Sequence, residues 1–391
     1  MAACHASAQN VSVILFEKQN KIGRKLLVTG NGRCNISNTH ISVERYHGHN
    51  PRFTNNVFGR YGLTETIYFF KSIGLPLTES EDGKLFPLSL RAVSVVELLE
   101  YEAIKRGTEI KLHRQVGGIE KRNDSFVITT SGKEKFEFDN IILSTGGCAY
   151  PQLGASREGY ELARSLGHTI HEPFPSIIPI NIPLKSLHKL QGIKCQAIVA
   201  VHNNGKKLTS SEGELLFTGF GISGPVSLDV SRRVNELVLC GEQPSIVIDL
   251  YPGFTENELS DIIQDLLKDK ERTLTLSLTG IMHKKMAEIL LEIAGIDPQK
   301  KAGNLIDREK ETFVDVLKRL TVIPGKPREF REAVTSAGGV DVNEIDGATM
   351  ESRIIRNLYL TGEVLDIDGD TGGYNLQFAW STGAIAGLSQ R

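Results

Sequence analysis

Glu17 ends a short β-branched run, VSVILF at 11–16, whose nearly continuous apolar character suits a buried parallel strand. An acid at the tip of the second strand of a nucleotide-binding fold accepts hydrogen bonds from adenosine ribose hydroxyls. It lies ~20 residues after a G-x-G-x-x-G turn. Counting back from Glu17 puts that turn just ahead of Met1. The rival reading is a strand that ends in a solvated glutamate.

The loop Gly23 to Asn35 (GRKLLVTGNGRCN) is the second candidate. Gly30 and Gly32 let backbone approach a flat ring or a phosphate without a Cβ clash. Arg24, Lys25 and Arg33 can neutralise a pyrophosphate, the arginines by bidentate contact. Cys34 has no resolving cysteine near it in sequence, which argues against a redox pair. Thr145, Gly146 and Gly147 follow the apolar run NIIL at 140–143, and glycines at the carboxyl end of a parallel strand are where such sheets bind ligands. A fourth segment, Leu358 to Asn375, reads as a strand ending in Gly362-Glu363. The pair Gly372-Gly373 then opens a helix, whose first N–H groups are free to meet an anion.

Three rivals fail on spacing or context. Asp366, Asp368 and Asp370 mimic an EF-hand start, but Thr371 and Gln377 stand where glycine and glutamate are required. Gly219 to Gly224 (GFGISG) is a formal G-x-G-x-x-G, yet it is isolated in a β-rich stretch and is expected not to hold a nicotinamide. Gly221 to Pro225 departs from a hydrolase elbow by its proline.

The elements that must position these residues follow from periodicity. Ala92, Val95, Val96, Leu99 and Ala103 share a helical face over 91–106, with Gly107 placed to stop it. Strands are expected near 109–112, 116–121 and 125–130, and a helix over 156–166. From about Pro173 the texture turns β-rich, with strands at 177–182, 197–202, 214–217 and 245–250. Thr255 with Glu258 makes a capping box, and Phe254 with Leu259 a hydrophobic staple. Apolar stripes behind them and over 282–293 and 313–320 read as core packing of helices. A strand near 332–335 and a small-residue helix after Asn375 complete the order. The fold class is α/β: a doubly wound, mostly parallel sheet with a mixed insertion.

Bulk composition excludes several classes. The 391 residues are 40% hydrophobic and 24% charged with a net charge of -2, which gives no global case for nucleic acid or a membrane surface. No apolar run reaches the ~18 residues of a spanning helix, and the start has no signal-peptide pattern. Five scattered cysteines, an odd number without a C-x-x-C pair, indicate reduced thiols, a cytoplasmic protein and no metal site.

Taken together the segments resemble the BaiN-type family of bacterial NAD(P)/FAD-dependent flavoproteins, which includes aminoacetone oxidases. The motifs are EK-x4-GRKLLVTGNGRCNISN (17–38), GKLFPLS (83–89), STGGCAYPQLGASREGY (144–160), LLFTGFGISGP (215–225), TSAGGVDVNEID (335–346) and LTGEVLDIDGDTGGYN (360–375). The resemblance implies a Rossmann-like FAD-binding domain over 1–172 and 341–391, a β-barrel insertion over 173–250 and 323–340, and a helical subdomain over 251–322. It implies an FAD-dependent oxidoreductase moving a hydride or electron pair to or from a small amine, ketone or enone, with NAD(P)H as a candidate donor. Glu17 would serve the ribose, with Lys18 beside it in the cofactor site, and Arg24, Lys25, Gly30, Asn31, Gly32, Arg33, Cys34 and Asn35 the pyrophosphate and ring. Val116 would meet adenine through backbone. Gly362, Glu363, Gly372, Gly373, Tyr374, Asn375 and Leu376 would surround the ribityl chain and flavin, and Thr145, Gly146, Gly147 and Asp366 would also belong to the cofactor site. No residue is assigned as acid or base. This chain departs from the family twice. It lacks the opening strand and glycine turn, which implies weak FAD binding and leaves a flavin-free fragment as the alternative. It also carries Gly219 where members show histidine.

Overall fold

The β-branched run before Glu17 forms the strand Ile14–Phe16 in the computed structural model of the chain, which describes residues 1–390. It pairs in parallel with Glu109–Lys111, and Ile141–Leu143 pairs in parallel with Leu358–Leu360. The doubly wound layer is thus present as two parallel pairs. These lie in one unit, Met1–Ser176 with the chain from Phe330 onward; Ile177–Glu329 forms a second.

In the first unit the helix Ala92–Lys105 buries Ala92, Val95, Val96 and Ala103, the face its period requires. Val116–Arg122, Ser125–Thr130 and Lys135–Phe138 make an antiparallel sheet. The helix Tyr374–Leu388 is buried on nearly all sides, which its small residues allow. A Cβ at Gly387 would stand 2.4 Å from the carbonyl oxygen of Ala2 in the helix Ala2–Ser7, so only glycine admits that approach. Buried Gln377 in the same helix is satisfied at both ends. Its Oε1 accepts from Ser37 Oγ at 2.6 Å, and its Nε2 donates to Thr66 Oγ1 at 2.8 Å.

The second unit is built on a curled, six-stranded antiparallel sheet. Its order is Ile180–Asn181, Gly221–Ser223, Lys206–Thr218, Lys194–Asn203, Ser245–Asp249 and Leu320–Val322. The helices Glu256–Leu266, Lys284–Ile293 and Asp307–Arg319 share one core with it through residues such as Leu215, Phe217, Ile248, Leu290 and Leu317. The capping box forms, with Thr255 N–H donating to Glu258 at 2.8 Å, but Phe254 is 43% exposed, so hydrogen bonds rather than a staple set this helix start.

Two strands lie elsewhere than the pattern predicts. Ile170–Ser176 replaces most of 177–182, and Thr335–Val340 replaces 332–335. They pair antiparallel with each other and cluster with the first unit, although 323–340 is expected with the barrel. TSAGGV has little β propensity, and its burial on every residue comes from tertiary packing.

Burial also sets an acid limit on stability. His5 packs 5.0 Å from the Phe69 ring, and burial pushes its pKa down to about 4. Burial also lowers His168, against the opposing pull of Glu344. Both favour the neutral imidazole in the fold, so their stability is full above the unfolded value of 6.5 and declines as pH falls below it, for His5 down to about pH 4. For His5 alone the loss is about 3 kcal/mol. His5→Phe should flatten the acid limb of the unfolding midpoint between pH 6.5 and 4.5. An unchanged pH slope in that variant would remove His5 as the cause.

Candidate functional site

Loop 24–35 is shaped by left-handed backbone. The 3-10 segment Leu26–Gly32 breaks at Thr29, after which Gly30 and Asn31 both take φ 55°, followed by Gly32 at 79° and Cys34 at 60°. A Cβ on Gly30 would lie 2.9 Å from the Asn35 backbone nitrogen, so the loop folds closely upon itself there. This leaves Asn35 Oδ1 buried with no hydrogen-bond partner. Buried amide oxygens are almost always paired, so an orphan at a loop of this shape marks a place for an outside donor. The Gly372-Gly373 turn lies against the same residues. An ideal Cβ on Gly373 falls 2.9 Å from Asn35 Oδ1, and Asn38 Nδ2 donates to the Gly372 carbonyl at 3.1 Å. Behind that turn the helix Tyr374–Leu388 starts without a side-chain cap.

A second cluster forms around Glu363. Its Oε2 meets Lys25 Nζ at 2.6 Å, while Oε1 accepts from Ser336 N–H at 2.8 Å and Thr335 Oγ1 at 3.0 Å. Gly147 must be glycine here, because a Cβ would stand 2.8 Å from both Glu363 Oε1 and Ser336 Oγ. Ser336 Oγ in turn accepts from Cys148 and Ala149 N–H at 2.8 and 3.0 Å. Tyr160 donates to the Glu363 carbonyl at 3.3 Å, and burial raises its phenol strongly, with the Glu363 charge adding to the effect. Gly362 N–H donates to Thr382 Oγ1 at 3.0 Å. Thr335 and Ser336 lie in a quoted motif but are not singled out as site residues, since a hydroxyl gains its role from the acid that folding brings to it, and Thr382 lies outside the motifs.

The structure thus gathers Gly30, Asn35, Gly372 and Gly373 in one cluster and Lys25, Gly147 and Glu363, next to Gly362, in another, both within the first unit. Other expected residues have different company. Glu17 stands at the end of its strand and accepts from Gln19 N–H at 2.8 Å. Lys18 is held by Ser156 and Glu158 at 2.8 and 2.9 Å, and Arg24 by Gln19 and the Gln152 carbonyl. Arg33 sits 6.0 Å from the Phe86 ring centre; Asn31 and Gly32 are exposed. The Cys34 thiol is fully buried in the cluster of Phe69, Phe70 and Trp380, and burial pushes its pKa up to about 12, so it is no thiolate nucleophile. Val116 opens its strand opposite Thr130. Thr145 packs on Gly159, whose Cβ would overlap it, and a Cβ on Gly146 would meet open space. The Tyr374 carbonyl accepts from Tyr46, Asn375 is bonded to both polar groups of Gly369, and Leu376 lines the Phe70 cluster. Asp366 is turned to His49, which donates to it from backbone N–H and bonds it through Nδ1 at 2.9 and 2.7 Å.

Each rival motif has a structural explanation. Gly221 is in a strand where a Cβ would come 2.2 Å from the Ile180 carbonyl, and Gly224 caps the helix Pro225–Leu239 with its own Cβ position 2.5 Å from the Glu214 carbonyl. The flanking strands are antiparallel, so the glycines serve sheet packing and not a βαβ phosphate turn. The EF-hand carboxylates diverge: Asp366 to His49, Asp368 to Ser176 and Asp370 to His47. Ser352, His168 and Glu344 form a hydroxyl–imidazole–carboxylate array at 2.9 and 2.9 Å. Ser352 Oγ also accepts from Ile354 and Ile355 N–H and is buried, so the array fixes a turn and does not attack a substrate.

Comparison with known proteins matches a family model, described as HI0933-like protein Rossmann domain, to residues 1–389. A Clostridium scindens protein named 3-dehydro-bile acid delta(4,6)-reductase is 35% identical over 386 residues, covering 98% of this chain and 94% of that one. The ribosomal RNA dihydrouridine synthase of Haemophilus influenzae is 33% identical over 387 residues, 97% of this chain and 92% of its own. Its Escherichia coli counterpart is 30% identical over 375 residues, 95% and 90% of the two chains.

Proposed function

The chain belongs to the HI0933-like Rossmann-domain family, and from that premise we propose that it is an FAD-dependent reductase of carbon–carbon double bonds conjugated to a carbonyl. The names of its relatives support this narrowing of an amine, ketone or enone class. A 3-dehydro delta(4,6) bile acid carries its double bonds in conjugation with a ketone, and uridine carries C5=C6 in conjugation with C4=O. Reduction of a double bond so placed adds a hydride to a carbon that the carbonyl activates, β in an enone or δ in an extended dienone, and a proton to the carbon next to it on the carbonyl side.

The observation that carries the proposal is the unpartnered Asn35 Oδ1 between the left-handed loop and the Gly372-Gly373 turn. An FAD fits that donor set, because its ring N–H and ribityl hydroxyls are donors of the kind Asn35 Oδ1 lacks. When bound, FAD supplies the hydride, and NAD(P)H is the candidate source of its electrons. The chain's own part is binding and orientation. The uncapped start of Tyr374–Leu388 offers N–H groups and a partial positive charge of ~+0.5 to an electron-rich ring edge. Lys25, fixed by Glu363, holds a cation beside the same loop. Among the described residues no helix is long and apolar enough to cross a membrane.

Nothing in the comparisons favours the alternative of a flavin-free fragment. The relatives named for ribosomal RNA keep an RNA substrate in view beside the small-molecule one, although the net charge of -2 argues against it. The test is to purify the protein, record its visible spectrum with added FAD, and follow NAD(P)H consumption with a 3-oxo-4,6-diene steroid and with undermodified ribosomal RNA. A flavin spectrum with turnover of either substrate supports the reading, and the active substrate chooses between the two. Absence of flavin binding with turnover of neither would overturn it.

A further inference from the structure

We infer that His49, His171, Asp341 and Asp366 form a binding site for a divalent transition-metal ion of the zinc class. His49 Nδ1, His171 Nε2 and an Asp366 oxygen all lie within 4.8 Å of one another. Asp341 adds a fourth donor, its Oδ2 standing 3.6 Å from His171 Nε2, while Asp366 Oδ2 is 3.9 Å from that nitrogen. In a tetrahedral zinc site with bonds of about 2.0–2.1 Å, neighbouring donors are about 3.3–3.4 Å apart. The two His171 separations are therefore close to ligand spacing and too long for hydrogen bonds. His171 Nε2 is in fact buried with no hydrogen-bond partner, although two carboxylates face it. A metal ion would satisfy that nitrogen and both carboxylates together.

Backbone contacts hold the ligand-bearing segments in place before any ion arrives. Asp366 N–H donates to the Val340 carbonyl at 2.9 Å, and Asp341 N–H to the Thr169 carbonyl at 3.0 Å. His171 pairs with Gly339 in the antiparallel ladder, so three of the four ligands sit on adjoining strands and turns. Gly48 brings in the fourth: it takes φ 140°, and a Cβ there would stand 2.2 Å from the Asp366 carbonyl oxygen. Asp341 Oδ1 is occupied by Asn343 N–H at 2.9 Å, which leaves Oδ2 for the ion. Asp366 Oδ2 accepts from His49 N–H, the kind of outer bond that orients a ligating carboxylate.

One movement is required. The imidazoles of His49 and His171 are stacked at 3.6 Å and 12°, so their lone pairs run side by side. His49, whose side chain is 62% exposed, must rotate and give up its 2.7 Å bond to Asp366 Oδ2 so that its lone pair turns toward the ion. Two imidazoles with two carboxylates select zinc or its neighbours over magnesium and calcium, which prefer oxygen alone.

The test uses the full chain stripped with chelator and titrated with zinc chloride by calorimetry, and with cobalt chloride by visible absorption. One zinc per chain and the intense absorption of tetrahedral cobalt are expected. His171→Ala should weaken zinc at least about 100-fold and Asp341→Asn about 10-fold. His49→Ala, at an exposed position, should also weaken zinc while leaving the circular dichroism unchanged, which separates ligand loss from misfolding. No stoichiometric zinc in the natural chain, or undiminished zinc in folded His49→Ala and Asp341→Asn, would overturn the site.

Discussion

Glu363→Ala is expected to destabilise the first unit by about 2–3 kcal/mol and to empty the proposed cofactor site. The carboxylate serves three donors: the Lys25 ammonium, the Ser336 N–H and the Thr335 hydroxyl. Lys25 is 31% exposed and can turn to water, so its share of the cost is small. The Ser336 N–H cannot move, because Ser336 is 1% exposed within the strand Thr335–Val340. An unpaired buried N–H dominates the loss. Glu363→Gln keeps an acceptor for Ser336 and Thr335 and should cost only ~1 kcal/mol. The chain's one tryptophan, Trp380, lies buried in this unit with Nε1–H donating to the Ile36 carbonyl at 3.0 Å. Its fluorescence during urea unfolding reads the effect. Equal stability of the natural chain and Glu363→Ala would show that the carboxylate holds nothing together.

Gly373→Val should be still more damaging, above about 4 kcal/mol, and should prevent the first unit from folding normally. The sequence alone invites a different expectation, that a Cβ here would meet the flavin ring and leave the fold intact. The geometry corrects it. The Cβ would stand 2.4 Å from the Ser37 carbonyl oxygen and 2.6 Å from its carbon, both backbone atoms that cannot swing aside. The residue also takes φ 106°, where a β-branched side chain is strongly strained. Gly146→Ala provides the comparison. It shares a positive φ of 73° but has nothing within 4 Å of its Cβ, so it should cost only about 1–2 kcal/mol. Similar Trp380 unfolding midpoints for the two variants would refute the close packing of residues 37 and 373.

The site was partly legible. Glycines at 30, 147, 362, 372 and 373 stand out because each permits a backbone path or close approach that other residues would oppose. Lys25 and Glu363 stand out as charges inside those glycine-rich segments, but their pairing across the chain does not. The partners that Lys18 and Asp366 have in the fold, Glu158 and His49, are not legible from the motifs that contain them. A side chain's direction depends on what packs against it, which no local spacing encodes.

Local rules were enough wherever one segment carries its own signal. The apolar period over Ala92–Lys105 sets that helix, Thr255 and Glu258 set the start of another, and β-branched runs set Ile14–Phe16 and Ile141–Leu143. Tertiary structure decided the rest. TSAGGV becomes a fully buried strand only because Ile170–Ser176 offers it a ladder. Gln377 becomes a core residue only because Ser37 and Thr66 meet both ends of its amide. His49, His171, Asp341 and Asp366 are scattered along the chain, and come within a few ångströms of one another because Gly48 and the strand pairing bring their segments together. Propensity and periodicity are properties of a few neighbouring residues, whereas satisfying a buried polar atom is a property of the whole fold.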